Sequence, residues 1–175
     1  MNASAASWRT VEARHPDTPA LAVLGNALGS GVTARLYQAL VEPSLTLSVT
    51  VVPWQLKDPA LFSVFAPVRP GVDPSEVEKT IRSQIAKVAA EGLTAAEVGQ
   101  ARRQIEAEVI FDRDSTDQIA ASLSEAIAVA DWEWYADYPA AIGRVTGDDV
   151  RRVAAAHFTD DGLTVGLFSP RGAGA

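Results

Sequence analysis

Hydrophobic and polar positions alternate with period two in two segments of this chain. Residues 45–51 read Leu45-Thr46-Leu47-Ser48-Val49-Thr50-Val51, the pattern of a half-buried strand. Lys57-Asp58-Pro59 marks a turn, and residues 61–68 form a second apolar run. The connection is too short for a crossover helix, so the two runs predict an antiparallel hairpin. A closing strand is expected over residues 163–168 and a short first strand over residues 8–13.

Elsewhere the apolar spacing is helical. Leu21, Leu24 and Leu28 predict a helix over residues 17–28, and Leu36 and Leu40 a second over residues 33–41. Asp73-Pro74-Ser75-Glu76 supplies a cap, a first-turn proline and an acid, followed by Val77, Ile81, Ile85 and Val88 on one face. Thr94-Ala95-Ala96-Glu97 is a capping box opening a helix that buries Val98, Ile105 and Val109. Asp114 or Ser115 starts the next, through Ile119, Leu123 and Ile127, and Thr146-Gly147-Asp148-Asp149 starts the last. Runs of strands and runs of helices predict an α+β fold. We expect two layers: a mostly antiparallel or mixed twisted sheet with helices packed on one face.

At 175 residues the chain is long enough for one full core. Residues 1–12 read as a lead-in with the first short strand, the first seven residues as a flexible stretch. Residues 13–171 read as a single lobe and residues 172–175 as a tail. The net charge of −7 argues against nucleic acid, which needs a basic face. No apolar run reaches the length of about 18 residues that spans a bilayer. The compartment stays open between a bacterial periplasm and cytoplasm.

Candidate chemistry is sparse. The chain has no cysteine and only His15 and His157, too few for a three-histidine metal site. Both histidines read as structural, His157 at a helix C-terminus where a cation suits the dipole. The glycine-rich stretch from Gly25 to Gly31 lacks the Lys-Ser/Thr of a phosphate loop and follows a helix, so it reads as a helix–helix turn. Asp112, Asp114 and Asp117 begin like a calcium loop, but Thr116, Asp117 and Leu123 stand at its fifth, sixth and twelfth positions and reject it. Trp132, Tyr135 and Tyr138 recur every three residues and read as a packing face.

An ordered series of segments is more informative than any one of them. His15-Pro16-Asp17 precedes Ala20-Leu21-x-Val23-Leu24, then Leu28-Gly29-Ser30-Gly31 and Ala34-Arg35-Leu36-Tyr37-Gln38-Ala39-Leu40. Asp58-Pro59-Ala60-Leu61-Phe62, Glu91-Gly92-Leu93-Thr94, Val145-Thr146-x-x-Asp149-Val150 and Thr164-Val165-Gly166 follow in order. This series resembles the pitrilysin/insulinase family of zinc metallopeptidases, and within it the inactive or C-terminal lobe, over roughly residues 13–171. The resemblance implies a zinc-free lobe that shapes a peptide-binding chamber and supports a companion lobe, in the same or a separate polypeptide. That companion would carry His-x-x-Glu-His and its zinc.

The present chain has no His-x-x-Glu-His, so no catalytic or metal residue is assigned to it and it is expected to be inactive alone. Where some relatives place a substrate-holding Arg and Tyr, the chain has Val41 and a position near Leu47. Arg35 and Tyr37 read as helix packing and capping. The substrate-binding candidates are therefore Leu45, Leu47, Val49 and Val51, on a strand edge where an extended peptide can align. The start shortly before His15-Pro16-Asp17 points to a cut-out domain, whose exposed edges would favour self-association. The alternative reading is a catalytically inactive scaffold of the same fold, as in the core subunits of respiratory complexes. A dispersed site around His15 or His157 is the third.

Overall fold

Phe62, Val64, Ala66 and Val68 alternate along one strand and are all buried, and the sheet is built around them. In the computed structural model, which describes residues 2–111 and 115–168, β1 is Asn2–Arg9, β2 Thr50–Pro53, β3 Leu61–Val68 and β4 Leu163–Phe168. Their order across the sheet is β2-β3-β1-β4, and every pair is antiparallel. From Asn2 onward the expected flexible lead-in is instead a central strand, which ends at Arg9 rather than running over 8–13. Its residues NASAAS have low strand propensity. Pairing on both sides supplies what propensity does not.

The helices are α1 (Thr18–Gly29), α2 (Pro74–Glu91), α3 (Ala95–Phe111), α4 (Thr116–Val129), α5 (Trp132–Arg144) and α6 (Gly147–His157). Their starts are set by the expected caps. Asp73 accepts from Ser75 N–H, Ser115 from Gln118 N–H, and Thr146 and Asp149 close a reciprocal box. Asp114 lies outside the described residues. The helix expected over 33–41 is mostly a π turn, Tyr37–Val41, in which Glu42 N–H reaches Tyr37 C=O at 3.2 Å. It carries Leu40 into the core just after Leu36, and both are fully buried.

Ser4, Ala6 and Trp8 of β1 lie opposite Ala66, Val64 and Phe62 of β3, and these six side chains are buried on the helix-covered face. Leu24, Leu28, Ile81 and Ile142 pack there too, with Phe158 edge-on to both Trp8 and Phe62. Among the described residues no helix covers the opposite face of the sheet, where Leu61, Phe65 and Phe168 stay exposed. The two-layer α+β arrangement is the one expected.

Candidate functional site

The four residues expected to share one strand face do not do so. β2 begins only at Thr50, and Thr46 makes an isolated bridge to Val68. Four steps from Thr46 to Thr50 run opposite three from Val68 to Phe65, so the edge strand holds one extra residue. Such a bulge swaps which side chains face the core. Thr46 points inward and is fully buried, Leu47 is 47% exposed, and farther along it is Val51 that lies against α1. Ser44 sits at φ 64°, and Leu45 N–H and Thr46 N–H both return to Leu40 C=O. The segment is thus bound to the π turn before it reaches the sheet.

Val49 and Val51 do line a trough of about 490 Å³, while Leu45 and Leu47 do not. One wall is β2. The other is α3, through Ile105, Glu108 and Val109. The floor is α1, through Ala22, Gly25, Asn26 and Gly29, with Ser30 just beyond its end. The glycines of this stretch let β2 sit against α1: a Cβ on Gly29 would lie 2.6 Å from Val51 Cγ2, and one on Gly25 2.9 Å from Pro53 Cγ. Only Gly31, at φ 81°, serves the expected turn. At one end of the trough Gln55 Nε2 donates to Tyr138 Oη at 2.7 Å. Burial pushes the Tyr138 phenol up to about 12, so it stays neutral across the physiological range. Asn26 Oδ1 is buried without a hydrogen-bond partner.

A second polar cluster was not foreseen. Asp17, 7% exposed at the start of α1, gathers both histidines and an arginine. His157 Nε2 lies 2.9 Å from its Oδ2, Arg152 Nη1 donates to Oδ1 at 2.7 Å, and His15 Nδ1 lies 3.8 Å away. Burial acts to raise the pKa of Asp17. The hydrogen bonds from His157 and Arg152 outweigh it and hold the carboxyl below its ordinary value. The cluster joins the two ends of the chain and borders a cleft of about 360 Å³ that also contains Trp134 and Tyr138. Those two rings, four residues apart, make the aromatic contact at 4.9 Å, and Trp134 Nε1 donates to Ala13 C=O. Trp132, at the start of α5, is 62% exposed, so the packing pair differs from the spacing-of-three reading.

Neither place suits zinc. Zinc needs three or four converging nitrogen, oxygen or sulfur ligands. The trough offers Glu108 as its only side chain of that kind, apart from amides and hydroxyls. Among the described residues no group of three or more His, Cys, Asp or Glu side chains could hold a metal. Asp112 and Asp114 of the rejected calcium loop lie outside the described residues, and Asp117 is exposed in the first turn of α4. No helix among the described residues is long and apolar enough to cross a membrane.

The chain is a two-layer α+β lobe whose trough, among the described residues, offers a single carboxylate. The family described as Peptidase M16 inactive domain matches residues 2–105, and the chain belongs to it. Comparison with known proteins agrees. An uncharacterized zinc protease of Streptomyces coelicolor is 34% identical over 141 residues, which is 77% of this chain and 30% of that protein. The inactive peptidase domain of a candidate zinc protease from Bordetella parapertussis superposes with a TM-score of 0.88 at 25% identity, covering 98% of this chain and 91% of that one. A Helicobacter pylori protease shares the fold at a TM-score of 0.91 and 24% identity, over 97% of this chain and 41% of that one. The chain spans about a third of the length of the curated relatives it matches.

Proposed function

We propose that this chain is the zinc-free half of a two-lobe zinc peptidase. On this reading its helix-free sheet face is one wall of the chamber that holds a peptide opposite a His-x-x-Glu-His lobe. The supporting observation is the character of that face. Leu61, Phe65 and Phe168 are 46%, 41% and 61% exposed on it; Ala3, Ala5 and Gly166 join Phe65 and Phe168 in an apolar patch at one end, beyond the polar row of Ser63, Ser7 and Thr164. A one-sided antiparallel sheet normally turns polar side chains to water. An uncovered apolar patch of this kind marks a place where something else packs.

Zinc belongs, on this reading, to the companion lobe, in the same or a separate polypeptide. Val41 and Leu47, at the places where the resemblance puts Arg and Tyr, favour a second reading: an assembly module that keeps the fold and handles no substrate.

The test is reconstitution with the His-x-x-Glu-His lobe of the source organism, assayed on a quenched fluorogenic peptide. We expect cleavage only with both lobes, its loss on adding 1,10-phenanthroline, and its loss in Phe65→Glu and Phe168→Glu. A stable two-lobe complex without chelator-sensitive cleavage selects the assembly module. Cleavage by the zinc lobe at full rate without this chain refutes the chamber. Dimerisation of this chain that Phe65→Glu abolishes assigns the face to self-association instead.

A further inference from the structure

The cleft beside the Asp17 cluster holds an excess of positive charge, in a chain whose net charge is −7. Arg14, Arg144 and Arg152 line it with His15, against the carboxylates of Asp137 and Asp149. Three guanidiniums over two carboxylates leave an excess of one. The trough, by contrast, has Glu108 as its sole charged group, and the groove along α2 balances Lys79 and Arg82 against Glu78 and Asp160. The cleft lies among α1, α5 and α6, on the helix-covered side of the sheet.

The basic groups are held but not used up. Arg14 is tied to Asp131 through Nη2, and Arg152 to Asp17 through Nη1. Each pair steadies its guanidinium through one nitrogen and leaves the other N–H donors open. Arg144, in the last turn of α5, forms no ion pair among the described residues. His15 Nδ1 accepts from Asp17 N–H at 3.1 Å, so the neutral ring carries its proton on Nε2 and can donate it. Asp149 is already engaged, its Oδ2 accepting from Thr146 N–H at 2.9 Å and Oγ at 2.6 Å. Much of the remaining lining is apolar and stiff: the paired rings of Trp134 and Tyr138, and Pro16 and Pro19.

We propose that this cleft binds a small organic anion, a phosphate or carboxylate carried on a flat apolar body. Arg144 selects the charge, with the open N–H groups of Arg14 and Arg152 beside it. A guanidinium fork suits either acid group, because it meets two oxygens at once. The rings of Trp134 and Tyr138 and the two prolines receive the apolar body. A volume of about 360 Å³ lies at the small end of ligand clefts, enough for one ring and its acid group. An excess of a single charge suits a small anion and not a polyanion. The site stands apart from the chamber reading and does not depend on it. An occupant would tie α1, α5 and α6 together, so it would also raise the melting temperature.

The experiment is an NMR titration of the isotope-labelled full chain with phenyl phosphate and with benzoate, the two acid groups on one ring. The controls are inorganic phosphate, which lacks the ring, and benzamide, which lacks the charge. We expect saturable shifts at Ala20, Tyr138, Val145 and the Trp134 indole N–H, weakened by added salt. The tighter of the two ring anions identifies the acid group. Arg144→Gln should weaken it about five-fold, the upper size of an exposed ion pair, and Arg144→Lys should restore part of the loss. Arg144 also stands where a cation suits the α5 dipole, a role that moves the melting temperature of the free chain and leaves the titration unchanged. Lys87→Gln, exposed on α2, should leave binding as it is. Benzamide binding as tightly as benzoate, inorganic phosphate binding as tightly as phenyl phosphate, undiminished binding in Arg144→Gln, or no saturable shift at the cleft overturns the proposal.

Discussion

Glu97→Gln is the substitution whose effect can be worked most fully. The Glu97 carboxylate accepts Arg35 Nε at 2.5 Å and Nη2 at 2.9 Å, and Thr94 donates to it through N–H at 2.7 Å and Oγ at 2.8 Å. The Arg35 guanidinium is the main reason its carboxyl falls from 4.5 to about 2, with the Thr94 bonds adding to this and burial opposing it. Glutamine keeps the length and still suits a capping box, so the substitution removes mainly the charge. The full shift corresponds to at most about 3 kcal/mol. Both side chains are between a fifth and a third exposed, so screening reduces this to about 1–2 kcal/mol.

The sign follows from a depressed carboxylate. The stabilisation is complete above about 4.5 and is lost as pH falls toward about 2. Urea unfolding followed by circular dichroism at pH 7, 5, 4 and 3 should show wild type ahead by about 1–2 kcal/mol at neutral pH. That lead should narrow steadily below pH 5. In an Arg35→Leu background the same substitution should cost much less, giving a coupling energy close to the single effect. A gap that is absent at pH 7, or that stays constant down to pH 3, refutes the assignment of this ion pair.

Gly29→Val should cost about 2 kcal/mol in thermal unfolding, because its Cβ alone would meet Val51 Cγ2 at 2.6 Å and push β2 off α1; a neutral melt would show that the strand yields freely. Asp17→Asn should cost about 2–3 kcal/mol at pH 7, since Arg152 and His157 lose their shared carboxylate. Because that carboxyl is held below its ordinary value, the cost should shrink as acidification protonates it, and a loss that persists undiminished at pH 3 would point to packing instead.

Legibility in the sequence tracks how local the determining physics is. The caps at Asp73, Thr94 and Thr146 lie within three residues of what they bond, and the helix starts there could be read directly. β3 and β4 alternate or run apolar and were bounded correctly at 61–68 and 163–168. The Asp17 cluster could not be read, because Asp17 and His157 are 140 positions apart. Gly25 and Gly29 looked like punctuation, since what a glycine permits depends on which strand lands against it. The extra residue between Thr46 and Thr50 leaves the period-two pattern intact on paper while reversing its faces in the sheet. Two of the four substrate-binding candidates were thereby placed away from the trough.

The strand made first is the one that needs its partners most. β1 pairs on one side with β3, about sixty positions later, and on the other with β4, about one hundred and sixty later. As the ribosome extends the chain, residues Asn2–Arg9 meet β3 after about sixty positions, but their other edge stays unpaired until β4 emerges about one hundred positions later still. Such distant pairing slows folding. It also leaves the edge of β1 that β4 covers open until the last strand is made.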